Sequence, residues 1–78
     1  MAKRSVYHSI KDKNGWKVVL DGKDLSRHDT QLEAEDRARK LGKAVQEKGG
    51  LGQAVFHRAD GQIVEERTYG ADPQKTKG

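Results

Sequence analysis

Apolar and polar residues alternate from Ser5 to Leu20: Val6, His8 and Ile10 come first, then the turn-like Lys13-Asn14-Gly15, then Trp16, Val18 and Leu20. A period of two marks a strand lying against a core, and the Asn-Gly break predicts a hairpin. A two-residue Asn14-Gly15 turn would set Ile10 opposite Val19 and scatter the apolar residues over both faces. A three-residue loop with a left-handed Gly15 bulge places Val6, His8, Ile10, Trp16, Val18 and Leu20 on one face, and this is the register expected. Asp21-Gly22 marks a second turn. Lys23 to His28, with Leu25 as its only apolar residue, suits an edge strand protected by Lys23, Asp24 and Arg27.

The period then changes. Thr30-Gln31-Leu32-Glu33 is a capping box, and the spacing of Ala34, Ala38, Leu41 and Val45 predicts a helix from about Gln31 to Lys48 with one narrow buried stripe. Two alanines in that stripe let a helix lie close on a sheet. Leu32 sits off the stripe, placed to cover the edge strand. Gly49-Gly50 ends the helix with a left-handed cap. Beyond it, Ala59-Asp60-Gly61 predicts a second bulged hairpin in which Val55, His57, Ile63 and Tyr69 share one face, Phe56 and Val64 the other. The expected core is Val6, Ile10, Trp16, Val18, Leu20, Ala34, Ala38, Leu41, Val45, Val55 and Ile63. The fold class expected is α+β, ββ(β)αββ, a twisted antiparallel sheet with one helix on one face.

Composition narrows what such a fold can do. Seventy-eight residues at 32% hydrophobic content, with only four aromatic side chains, allow one sheet and one covering helix. A chain this short buries roughly 60% of its unfolded surface, so a deep substrate cleft is not expected. The absence of cysteine excludes a disulfide framework and thiolate metal clusters. Met1 to Ser5 runs into a polar strand with no signal-like or membrane-spanning apolar stretch, which makes the cytoplasm the expected location. Residues 1–70 are expected to form one α+β domain, and residues 71–78 a disordered tail.

Several blocks resemble a known family: Tyr7-His8, Gly15-Trp16-Lys17-Val18, His28-Asp29-Thr30 with Glu33-Ala34, and His57-Arg58-Ala59-Asp60-Gly61-Gln62-Ile63 through Thr68-Tyr69-Gly70 and Asp72-Pro73. In order and spacing they resemble domain of unknown function 2188. The resemblance implies a small bacterial or phage protein with a ββ(β)αββ domain, and it implies no catalytic residues. Gly15 to Ala38 also resembles the N-terminal DNA-binding module of phage-type integrases, which implies a three-stranded face set against DNA.

The chemistry-bearing residues point to binding and away from catalysis. Glu65, Glu66 and Asp36 lack a pocket that would shift a pKa for acid-base work, and Ser5, Ser9 and Ser26 lack a nucleophile elbow. Gly49-Gly50-Leu51-Gly52 follows a helix, where a phosphate loop would follow a strand. His8, His28 and His57 stand far apart in sequence, so neither metal nor cofactor is expected, although His8 and His57 would face the same side. Sixteen Lys and Arg against twelve Asp and Glu leave a net charge of +4. Lys11, Lys13, Lys17 and Lys23 around the first hairpin, with Lys40 and Lys43 on the helix, are the candidate nucleic-acid contacts. A single helix covers only one sheet face, so Phe56 and Val64 are the candidates for a homodimer, regulator or inhibitor interface. The expected function is therefore a non-enzymatic binding module, contacting nucleic acid weakly through basic groups or, alternatively, contacting protein. No membrane and no small-molecule substrate is expected.

Overall fold

Three turns and one capped helix punctuate the chain. The computed structural model describes residues 4–70 as β1 (Arg4–Asp12), β2 (Gly15–Leu20), β3 (Lys23–His28), α1 (Gln31–Glu47), β4 (Leu51–His57) and β5 (Ile63–Tyr69). The expected tail, residues 71–78, lies outside the described residues. Asp21 and Gly22 both take positive φ in the β2–β3 turn, which matches the right-handed twist of the flanking strands. Helix α1 starts as its capping box predicts: the Thr30 hydroxyl accepts from the Glu33 amide at 3.2 Å. The Glu33 carboxylate, however, accepts from the amide of Asp29, one residue beyond Thr30. At the far end Gly49 is left-handed, and the amides of Gly49 and Gly50 donate to the carbonyls of Gln46 and Val45, closing a Schellman motif.

The five strands form one open sheet in the order β3-β2-β1-β4-β5. Three of its pairings are antiparallel, as expected. The central one, β1 with β4, is parallel and makes the sheet mixed. Parallel neighbours need a long crossover, and here the path through β2, β3 and α1 supplies it. Helix α1 lies mainly over this central pair.

The first hairpin departs from the expected register. Asp12 pairs with Gly15 across a two-residue Lys13-Asn14 turn, so Tyr7 faces Leu20 and Ser9 faces Val18. Because side chains alternate, a one-residue slip exchanges the two faces of a strand. Tyr7 and Ser9 therefore join Trp16, Val18 and Leu20 beneath the helix, whereas Val6, His8 and Ile10 face the other way. The core comprises Tyr7, Trp16, Val18, Ala34, Ala38, Ala54 and Phe56, with Leu20, Leu41, Val45 and Tyr69 packed around it. All four aromatic side chains thus gather on one face, a stronger burial than the expected set built on Val6, Ile10, Val55 and Ile63.

Phe56 is the main correction in the last hairpin. Expected on an outer face as an interface residue, it is 2% exposed, and the Arg39 guanidinium lies over its ring at 5.6 Å. Val55, expected in that core, turns to the opposite face. The closing loop is the one expected, with Arg58 donating to Gln62 at 2.8 Å and Gly61 left-handed. One extra residue, Val64, interrupts the pairing between His57–Ile63 and Phe56–Glu65. That bulge reverses the rest of β5, so Tyr69 reaches the helix side while Val64 stays half-exposed. Leu32, expected over the edge strand, is 69% exposed.

What sets the helix against the sheet is a glycine crossing. Gly42 follows Ala34 and Ala38 at four-residue spacing, and it meets Gly52 of β4 backbone to backbone. A Cβ on Gly52 would stand 2.5 Å from the Gly42 carbonyl oxygen and 2.9 Å from its Cα, and a Cβ on Gly42 would press on the Tyr69 ring at 2.8 Å. The backbone oxygen cannot move without moving the helix. Gly52→Ala is expected to destabilise the fold by about 1–3 kcal/mol in urea unfolding, the range for overpacking a filled core. Ser9 sets up the opposite case: it is fully buried between Val18 and Phe56, and among the described residues its hydroxyl has no hydrogen-bond partner. Ser9→Ala removes a desolvated polar group and should leave the urea midpoint unchanged or raise it, by up to about 1 kcal/mol of stability. A clear loss would show that the hydroxyl is satisfied.

Candidate functional site

Residues paired across adjacent strands share a face, so the register assigns every strand residue to the helix side or to the side no described element covers. On the uncovered side stand Val6, His8 and Ile10 of β1, Lys17 and Val19 of β2, Gln53, Val55 and His57 of β4, and Ile63, Glu66 and Thr68 of β5. Val55 lies at the middle, only 4% exposed, between His8 on one strand and Glu66 on the other. Val6, Ile10 and Val19 are half-buried and Ile63 is 55% exposed. The face is apolar at its centre. Its rim is polar: Lys17 pairs with Asp24, and Arg27 with Asp12 and Asp24.

His8 and His57 meet on this face. His8 Nδ1 and His57 Nε2 are 3.0 Å apart, and their ring centroids are 5.2 Å apart. The tautomers follow from the surroundings. His57 Nδ1 lies 3.1 Å from the Gly61 carbonyl oxygen, which can only accept, so Nδ1 carries the proton and Nε2 of the neutral ring offers a lone pair. His8 must then donate from Nδ1. Burial pushes the His8 pKa below 6.5, the charge of a neighbouring His57 pushes it the same way, and Glu66 opposes them. His28 takes no part: it lies on the helix side, paired with Trp16 and bonded to the Ser26 hydroxyl at 2.8 Å.

The six candidate lysines do not converge. Lys11 and Lys13 are at the tip of the first hairpin and Lys23 starts β3 at the far end of β2. Lys17 is on the uncovered face in its ion pair with Asp24, and Lys40 and Lys43 ride on α1, which lies on the other side of the sheet. Lys40 is paired with Asp36. The carboxylates are similarly engaged, Glu65 with Arg67 and Glu66 with Gln53. A polar hollow of about 240 Å³ lies beside the first turn, lined by Asp12, Asn14, Gly15, Trp16, Arg27, His28 and Asp29. Gly15 is needed there, since a Cβ would collide with the His28 carbonyl oxygen. Among the described residues no helix is long and apolar enough to cross a membrane.

Sequence reasoning placed Val55 inside and Phe56 outside. The signal that something apolar must face away was present, because Val55-Phe56 puts two large apolar side chains at adjacent strand positions. Which one faces inward depends on Gly52 and Ala54, which share Phe56's face and leave room for the helix.

Over residues 7–69 the chain matches the model of the family described as an uncharacterized protein conserved in bacteria, DUF2188, and it belongs to that family. No curated protein and no solved structure matches it.

The His8 environment gives a pH dependence of fixed sign. Its folded pKa lies below its ordinary 6.5. Above that value both states hold the ring neutral and the contribution is fully present; below it the unfolded chain takes the proton first, and stability falls down through the folded pKa. Urea midpoints measured between about pH 7.5 and pH 5.5 should therefore fall in the parent and fall less in His8→Gln. Asp12, whose pKa is lowered from 3.8 first by the Lys13 backbone hydrogen bond, acts in a separate and more acid window. Equal slopes in parent and variant would mean that His8 is not desolvated in the fold.

Proposed function

We propose that this member of the DUF2188 family is a non-enzymatic binding module that holds a protein partner through the uncovered face of its sheet. One observation carries the reading: Val6, Ile10, Val19 and Ile63 stand partly exposed around the buried Val55 on the face opposite the helix, and no described element lies over them. Covering such a surface contributes roughly 25 cal/mol for each Å² of apolar area removed from water. Contiguous apolar surface with a charged rim is how protein contact sites present themselves.

The engagement of Glu65, Glu66 and Asp36 with cationic or amide partners, and the small size of the hollow, support a binding role over a catalytic one. Nucleic acid fits the layout less well. Duplex and single-strand binders concentrate cations along one groove or face, whereas these lysines are spread over both sides of the sheet, and Lys17 and Lys40 have acidic partners. A net charge of +4 still allows weak polyanion contact, and salt separates the two.

Ile63→Lys tests the proposal, because a residue more than half exposed can be exchanged with little effect on folding. Capture of a partner protein from the source cell, or self-association in sedimentation, should persist as salt is raised several-fold and should be lost in Ile63→Lys at an unchanged melting temperature. Capture indifferent to Ile63→Lys, or a complex with nucleic acid alone that dissolves steeply with salt, would reject the sheet face as the contact surface.

A further inference from the structure

We propose that His8 and His57 form a two-histidine chelate for a divalent late transition cation, represented by Zn²⁺, on the uncovered face of the sheet. The two nitrogens that would ligate already point at one another across the parallel β1–β4 pair, at 3.0 Å. With Zn–N bonds of 2.0–2.1 Å, two ligands at a tetrahedral angle stand roughly 3.3 Å apart, so the spacing changes by a few tenths of an ångström while each ring turns by roughly 35° to bring its lone pair off the N–N line and onto the ion. Imidazole is the ligand these cations prefer among protein side chains other than thiolate.

Orientation is the stronger argument. Metal-bound histidines commonly donate their second ring N–H to a backbone carbonyl, which fixes the tautomer and aims the remaining lone pair. The Gly61 carbonyl does this for His57: it holds the proton on Nδ1 and leaves Nε2 free to ligate. The loop that carries Gly61 is itself closed by the Arg58–Gln62 bond and by Asp60 accepting from the Gln62 amide at 3.1 Å. His8 now uses its Nδ1 proton to satisfy that lone pair. When the cation enters, this proton leaves Nδ1 and the neutral ring is reprotonated at Nε2, so no net proton is released from the neutral pair. In acid the protonated rings exclude the ion.

The charge around the pair suits a cation. Glu66, on the same face, acts on His8 electrostatically, and Lys17 has its charge directed to Asp24. Among the described residues no group of three or more histidine, cysteine or carboxylate ligands converges, so the chain supplies two ligands and leaves the remaining positions to water or to groups brought by a partner. The site does not depend on the protein-contact reading: its test needs no partner, and Ile63→Lys leaves both ligands in place.

Calorimetric titration of the whole chain with ZnCl₂ near neutral pH should show one saturable site per chain. His8→Ala and His57→Ala should each weaken it by roughly tenfold or more, while His28→Ala leaves it unchanged. Imidazole ¹⁵N spectra of the parent protein give a second measurement that no variant's folding can confuse. Zn²⁺ should shift His8 Nδ1 and His57 Nε2 and leave the His28 nitrogens in place. Absence of saturable binding up to millimolar Zn²⁺, equal affinity in the His8→Ala/His57→Ala double variant, or ¹⁵N shifts confined to His28 would each overturn the proposal.

Discussion

The fold depends on one close approach, the crossing of α1 over β4 where Gly42 and Gly52 touch through their backbones. A Cβ on Gly52 would block that approach and a Cβ on Gly42 would press on the Tyr69 ring, and the sheet side the helix chooses follows from these two positions. Gly52 shares a face with Ala54 and Phe56, so two small positions admit the helix and one large ring fills the space beside it. On the helix, Ala34 and Ala38 continue the same shallow groove. With the helix this near, Trp16, Val18, Tyr7 and Phe56 form a closed core from few side chains, which is what a 78-residue chain with 32% hydrophobic content needs.

Packing so tightly on one side has a consequence on the other. The parallel β1–β4 pair, central in the sheet, has its second face lined by Val6, His8, Ile10, Val55 and His57, with nothing described above them. Val55 is shielded by its neighbours alone. The face combines apolar area with two imidazoles held in a defined geometry, and both functional readings advanced above arise there. It is a by-product of the same strand alternation that builds the core.

Much of this was legible in the sequence, for identifiable reasons. Asp21-Gly22, the Thr30–Glu33 box, Gly49-Gly50 and the Ala59-Asp60-Gly61 loop are local devices whose chemistry acts over a few residues, and each fixed its turn or helix end as read. Strand register is different, because it is decided by contacts between distant segments. Lys13-Asn14-Gly15 admits closures that differ by one residue, and the three-residue loop turns Tyr7 outward and His8 inward where the observed two-residue turn does the reverse. Val64 carried a similar hidden instruction, as a bulge residue that reverses the end of β5. Strand alternation puts His8 and His57 on one side, and they do share it, though the side is the uncovered one. The parallel β1–β4 pairing has no local signature, since it joins strands separated by β2, β3 and α1, and the Gly42–Gly52 contact depends on how the helix folds back over the strand that follows it.

The assignment of faces is the claim on which core, contact surface and histidine pair all rest, and proton–proton contacts in solution measure it directly. Nuclear Overhauser spectra of the uniformly labelled protein should connect the Hα protons of Gly42 with those of Gly52, and the Phe56 ring with the Ala38 methyl, while Val55 methyls connect to His8 and show nothing to α1. Contacts from α1 to Val55 or His57, with Phe56 free of the helix, would show that the sheet presents its other face to the helix and would contradict the account.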